Sequence, residues 1–483
     1  FRTGDPRIPL HAMPQRTCHI LVYRLYEGDA VSRHTFDLAR VAADLGMRPA
    51  IFSSYGLGDL PADIRPIART TDYAGYAGGA DLTILQYPLW FPLAERFRTI
   101  NGATIFWYHG VTPPALWPQS DGRDLLETSQ IRTDLAQYAH LAVADSPFIA
   151  AELQRSSGYP ADRLRVAPLG IDIARYAVQP DPAQLAALRK QWRLEGRRVL
   201  LYVGRIAGNK RIDLLVDALS LLAPAYPDLH LLVVGDTQDG VVTQELTASL
   251  RRRAAERGVA RRVTFTGRVP DVAPYYRLAH VYLQASQHEG FGAPLVEAMA
   301  AGAPVVASAD GSLPWLLGVD GPDDAAAGLI FASGDAAELA RNVERLLVEP
   351  DLRERLIAHG RQRARRFSIE AFRLRAAAIL CEALELAQQA PAPAASLPLT
   401  ELHQQADTAL RGYRVGSRLP LMAKAEIALR SAATTHLKEA YFDRIVERQV
   451  NFNRRLAGAI QELDQELRRL EQTTGVPDAT DRS

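Results

Sequence analysis

An α/β protein of two parallel-sheet halves, followed by a C-terminal helical extension, is the fold class this sequence predicts. Three observations carry it. Apolar runs of strand length alternate with helical patterns from Cys18 to about Gln388, which implies parallel sheets with helices on both faces. A polar, Pro- and Ala-bearing stretch at 173–196 interrupts the alternation, and a clean strand, Val199–Val203, restarts it. An Ala/Pro linker, 389–398, then ends it, and helical periodicity takes over across 399–473.

In order, the first half, 17–172, opens on a buried strand at Cys18–Tyr23 after an N-terminal tail, 1–16. A loop through Gly28 follows, then a helix from about Ser32 to Leu45 with Phe36, Leu38, Ala39 and Ala42 on its apolar face. Further strands read at Ala50–Ser53, Ala80–Gln86, Ala103–Tyr108 and Leu141–Ala144, and Arg165–Pro168 with Leu169-Gly-Ile-Asp172 closes the half. The Ala103–Tyr108 strand runs into His109, an imidazole that changes charge near neutral pH and can meet a sugar hydroxyl or a phosphate. Trp90, Trp107 and Trp117 lie close by, either lining an acceptor cleft or packed in the core. Asp145 or Ser146 caps the helix that Pro147 begins, a structural role.

The second half, 197–388, begins with Val199–Val203 and a loop, Gly204-Arg205-Ile-Ala-Gly-Asn-Lys210-Arg211. Strand, glycine-bearing basic loop and helix together make a cradle for a diphosphate, with backbone amides and two cations. Lysine occurs only at 190, 210, 424 and 438, so one in this loop is informative. Val263–Gly267 with Val269 is a strand and turn. Val281–Ser308 reads VYLQASQHEGFGAPLVEAMAAGAPVVAS: a strand, a loop, a helix started by Pro294 and ended at Gly302, and a second strand. The loop Glu289-Gly290-Phe291-Gly292 directs the helix's first amides outward, which suits a phosphate or sugar hydroxyls. Glu297, expected in the first helical turn, and Glu289 frame it.

That string, EGFG, then Pro, then EAMA-x-G-x-PVVAS, closely resembles the E-x7-E signature of the retaining glycosyltransferases of family 4, which have the GT-B fold. The resemblance spans about 17–388 and implies two Rossmann-like domains facing a central cleft. It also implies transfer of a sugar from a nucleotide-diphosphate sugar, a UDP or GDP sugar ahead of others, to an acceptor hydroxyl with retention. His109 would then lie against the donor sugar, and Arg205 and Lys210 would hold the diphosphate. Backbone near Val269 would meet the base, Glu297 the ribose and Glu289 the sugar hydroxyls. Gly28, Gly204, Gly290, Phe291 and Gly292 would line the donor site, and His109, Glu289, Arg205 and Lys210 would act in catalysis. The sequence departs from the family at Asp29 in the N-terminal glycine loop, at Arg211 where a Gly is usual, and at Trp315 where a Glu is usual. No metal and no cofactor beyond the nucleotide sugar is expected.

Composition sets the outer bounds. Over 483 residues, 47% apolar and 23% charged describe an ordinary globular chain, and a net charge of +1 makes no case for nucleic acid. Two distant cysteines and no secretory or membrane-spanning run point to the cytoplasm, or to the inner face of a membrane. The helical extension, 399–473, offers a face to a second copy, a partner enzyme or an anionic membrane surface, and 474–483 is a tail. The acceptor is a sugar, a lipid-linked group or another hydroxyl, and bacterial polysaccharide or glycoconjugate synthesis is the expected setting. Two rivals stand beside this reading: a sugar-nucleotide epimerase, and an idle scaffold working through its helical tail.

Overall fold

The computed structural model describes residues 16–26, 28–72, 75–117, 122–319 and 325–389. Gln389, read as the start of the linker, ends a helix instead, and the rest of the linker, 390–398, and the predicted helical extension, 399–473, lie outside the described residues. Seven parallel strands make the first sheet: β1 Thr17–Leu25, β2 Arg48–Leu57, β3 Ala68–Thr70, β4 Leu82–Tyr87, β5 Ala103–Tyr108, β6 Leu141–Ala144 and β7 Leu164–Val166, in the order β3-β2-β1-β4-β5-β6-β7. Six parallel strands make the second: β8 Arg198–Val203, β9 Leu229–Val234, β10 Val263–Phe265, β11 Ala279–Gln284, β12 Val305–Ser308 and β13 Leu329–Phe331, in the order β10-β9-β8-β11-β12-β13. Strand order reverses between β1 and β4 in one sheet and between β8 and β11 in the other. At such switch points the loops at the carboxyl ends of the strands part and leave a crevice for ligands. The loops after β8 and β11 are 204–211 and 285–292, the two basic and glycine-rich stretches singled out above.

The strands are short apolar runs because both sheet faces are covered. Every residue of β4, β5 and β9 is buried. On the first sheet, one face packs Ile20, Ile84 and Ile105 against Leu38 and Ala42 of the helix Ala30–Asp44, and the other packs Leu85, Phe106 and Ala142 against Phe91 and Phe97. On the second, Leu201 and Tyr282 face Leu295 and Met299, while Leu200 and Val233 face Leu215 and Leu219.

Two crossovers join the halves, and they hydrogen-bond to each other. Ile171 N donates to Phe367 O at 2.8 Å, and Ile369 N donates to Ile171 O at 3.1 Å. The helix Ile369–Gln389 then places Phe372, Ala376, Ile379 and Leu380 in the core of the first half. The stretch read as a polar connector holds two helices, Ile173–Ala177 and Pro182–Gln191. Local chemistry starts both: the Asp172 carboxylate accepts from Arg175 N at 3.2 Å, and Asp181 accepts from Ala183 N at 2.9 Å just ahead of Pro182. No helix among the described residues is long and apolar enough to cross a membrane.

Candidate active site

The loop after β8 and the loop after β11 are stitched together. Gln287 N donates to Asn209 O at 2.8 Å, and the Asn209 amide reaches His288 O at 3.4 Å. This stitching presents Lys210 to Glu289: Nζ and Oε2 are 2.6 Å apart, with both side chains 13% exposed. Gln284, the last residue of β11, donates to the same carboxylate oxygen at 2.8 Å. Burial pushes the Glu289 carboxyl up, but the Lys210 ammonium together with hydrogen bonds from Ser286 and Gln284 holds the group below its ordinary range. Glu289 is an anion here, anchored by a cation that a diphosphate could also engage. The turn at Gly311–Ser312 supports the loop from behind, where Ser312 N donates to Glu289 O at 3.1 Å and Ser312 Oγ to Phe291 O at 2.6 Å.

Gly290 meets the other half of the molecule. A Cβ on it would stand 2.4 Å from the carbonyl oxygen of His109, so only glycine permits this approach. Ser146 Oγ donates to Gly290 O at 2.8 Å, and His288 Nε2 pairs with Glu152 at 3.0 Å beside Phe148. The helix Ala293–Ala301 starts at Gly292 with no side chain capping its first amides, which leaves that positive end turned to the crevice.

His109 is buried, and both of its ring nitrogens are engaged. Nδ1 lies 2.8 Å from Asp145 Oδ2, and Nε2 lies 2.7 Å from the Gln86 side-chain amide. Asp145 also accepts from the Trp107 indole at 3.2 Å, and the Gln86 amide reaches His34 Nδ1 at 2.9 Å. Burial and then His109 drive the His34 pKa well below its ordinary value, so His34 is neutral. The Gln86 contact is through its amide oxygen Oε1, an acceptor that faces both His109 Nε2 and His34 Nδ1, while Asp145 accepts at His109 Nδ1.

Glu297 sits apart from that cluster. The helix starts at Ala293, so Glu297 stands in its second turn, not in the first as expected, and a dipole-complementing role there falls away. Its buried carboxylate accepts from the Tyr276 phenol at 2.7 Å, with the Tyr176 ring edge-on at 5.7 Å. Burial, then the Glu297 charge, pushes the Tyr276 phenol well above its ordinary range and keeps it a donor. Burial, then the charges of Tyr202, Glu297 and Glu289, raise the Tyr282 pKa well above its ordinary range, so both carboxylates bear on it.

The remaining predicted residues divide. Arg205 is exposed at the mouth and bears electrostatically on Tyr26 of the first half. Gly204 ends β8, its amide donating to Val234 O at 3.0 Å. Gly28 adopts φ 91°, a left-handed backbone suited to glycine, and the nearest atom to a Cβ there would be the guanidinium of Arg268 at 3.8 Å. Asp29 beside it caps the following helix through Ser32 N at 2.9 Å. Val269 packs on the core of the second half. Phe291 is buried edge-on against Phe367 at 5.6 Å, so its side chain serves the core and only its backbone faces the loop. Trp107 is fully buried as well. Arg211 takes φ 48°, a left-handed conformation that an arginine adopts at a cost. Sequence reasoning missed Gln86, Gln284, Tyr276 and Glu152: Gln284 meets Glu289 only five residues along, while the partners of the other three lie 21 to 136 positions away. Among the described residues no group of three or more His, Cys, Asp or Glu side chains is placed to hold a metal ion.

Two parallel-sheet halves with their switch points turned to a shared crevice define the GT-B fold, and solved structures share it. A sucrose-phosphate synthase from Thermosynechococcus elongatus superposes with a TM-score of 0.60 at 23% identity, over 82% of this chain and 100% of that one. Anabaena HepE, solved in complex with UDP and glucose, gives 0.63 at 19% identity, over 76% and 100%. Residues 186–363, which include both site loops of the second half, match the family described as glycosyl transferases group 1. A 2-deoxystreptamine glucosyltransferase from Streptomyces kanamyceticus is 38% identical over 206 residues, 41% of this chain and 50% of that protein. A GDP-mannose-dependent alpha-(1-6)-phosphatidylinositol monomannoside mannosyltransferase from Mycobacterium tuberculosis is 31% identical over 212 residues, 42% and 51% of the two chains. The matched region thus spans about half the length of these curated relatives.

Proposed function

We propose that the protein transfers a glycosyl group from a nucleotide-diphosphate sugar to an acceptor hydroxyl, with retention of anomeric configuration. One observation carries the reading: Lys210 and Glu289 meet at 2.6 Å over the uncapped helix end that faces His109. This supplies a cation for a departing diphosphate and an anion for sugar hydroxyls within one crevice. Lys210, Arg205 and the amides at the start of Ala293–Ala301 would offset the charge that builds up on the leaving phosphate as the bond to the sugar breaks. The acceptor oxygen would attack from the same face and pass its proton to that phosphate. Glu297, steadied by Tyr276, would hold the ribose, and His109, fixed by Asp145 and Gln86, would orient the sugar. One relative is named as GDP-mannose-dependent and one structural neighbour was solved with UDP and glucose, which supports a UDP or GDP sugar as donor. Synthesis of a polysaccharide or glycoconjugate at the inner face of a bacterial membrane is the setting we infer for it.

The test is a thermal-shift and nucleotide-release screen against UDP-, GDP-, ADP- and TDP-sugars, with Lys210→Ala and Glu297→Ala in parallel. One nucleotide sugar should stabilise the wild type and release its diphosphate. Lys210→Ala should lose about a hundredfold or more in kcat, the scale for removing a charge-stabilising donor. Variants that respond like the wild type would refute the site.

A further inference from the structure

At the far end of the helix Ala293–Ala301, away from Lys210 and Glu289, a separate cavity of about 350 Å³ opens. Three arginines line it, Arg277, Arg361 and Arg365, and no carboxylate does. Arg277 spends its Nη2 on the carbonyls of Tyr176, Ala177 and Val178 at 3.1, 2.5 and 3.2 Å. Its Nε is buried and has no partner among the described residues. Burial, and then the neighbouring Arg361, lower the Arg277 pKa, so cations are crowded here. The ends of the helices Ile173–Ala177 and Ala293–Ala301 supply at most about half a negative charge each, which leaves much of three guanidinium charges uncompensated. Such an array suits a phosphate, which accepts from several guanidinium N–H groups at once.

The cavity also sits where the halves are joined. Ile173 and Gln179 belong to the first crossover, and Arg361 and Arg365 directly precede the second, which begins at Phe367. We propose that this cavity binds a phosphate monoester, of which a sugar phosphate is the larger form, and that its occupancy couples to movement at the hinge. The volume exceeds what a bare phosphate fills, and the neutral Gln179 on the wall offers an amide to a polar body.

Calorimetric titration of the full chain with glucose 6-phosphate and with inorganic phosphate tests this, using wild type, Arg361→Glu, Arg365→Glu and Lys210→Ala. Both arginines are exposed, so reversing their charge leaves the fold intact. Glucose 6-phosphate should bind the wild type and change its small-angle scattering profile. Each arginine variant should bind about tenfold more weakly or worse, as expected on removing a charge-assisted contact. Lys210→Ala should bind as the wild type does, whatever becomes of its transferase activity. Equal binding of inorganic phosphate would support the site and identify the phosphate alone as its ligand. Absence of binding, unchanged affinity in the arginine variants, or loss in Lys210→Ala would overturn the site. Binding with no change in scattering would overturn its coupling to the hinge.

Discussion

At Gly290 the two halves are closer than any other residue type would allow. A Cβ would press to 2.4 Å from His109 O, a backbone atom that yields only if the strand end β5 moves. Gly290→Ala should therefore push the crevice open at its reacting centre, lowering kcat/KM about a hundredfold, the usual consequence of displacement by an ångström. Overpacking there should cost about 1–3 kcal/mol of stability. Gly360, inside the helix Pro350–Ala364, makes the contrast: a Cβ there meets Met299 side-chain atoms at 3.4 and 3.5 Å and Ala327 O at 3.7 Å, all ordinary contact distances. Gly360→Ala should raise the melting temperature through about 0.5–1 kcal/mol of helix propensity, with activity unchanged. If both substitutions behaved alike, the close approach would have no special place in the site. Residues at this scale were legible where chemistry is carried by the side chain itself, as for Lys210 and Glu289. Their supports were not. Gln284 and Tyr276 have no pattern that marks them, because their role is defined by where β11 and the helix Ala273–Leu278 place them.

Among the elements, the apolar runs of the sheets were legible because burial on both faces leaves little else to read. The Ala103–Tyr108 and Leu141–Ala144 strands have the bounds the sequence predicts. The edge strand β3, only Ala68–Thr70, was missed, since three residues with one buried give no period. The edge pair β9–β10 also holds a titration device. His230 on β9 reaches Thr264 Oγ1 at 2.8 Å across the pair, and burial, then Arg197, lowers its pKa from 6.5 to about 4. The unfolded chain therefore takes up a proton below about pH 6.5 that the folded chain refuses until about pH 4. Protonation favours unfolding across that window, so this group's share of stability is present above it and falls as pH falls through it. His34, neutral in its buried cluster, acts in the same direction. The melting temperature should fall between pH 7 and pH 5, and His230→Asn should fall less steeply. Parallel curves for the two proteins would remove His230 as a cause.

For the whole molecule, the second crossover does more than close the chain. Phe372 from the helix Ile369–Gln389 is fully buried, packed on Gly170, on His34 at 5.0 Å between ring centres and on Trp107 at 6.2 Å. His34 in turn stands edge-on to His109 at 5.1 Å and shares Gln86 with it. A last helix thus reaches the first half's site through two rings, in a contact that joins residues more than 250 positions apart and that no local pattern announces. Phe372→Ala should cost about 3–5 kcal/mol, the range for emptying a buried aromatic site. It should also release His34, loosen His109 and lower kcat/KM more than the loss of folded protein accounts for. Leu374, two residues on and 76% exposed, is the control on the same helix: Leu374→Ala should leave both melting temperature and kcat/KM near wild type. Calorimetry beside kinetics at a temperature where both variants are fully folded separates the two effects. If Phe372→Ala loses stability but keeps its kcat/KM under those conditions, the helix only fastens the halves together. If both fall, the same ring that fastens them also sets the buried imidazole of His109.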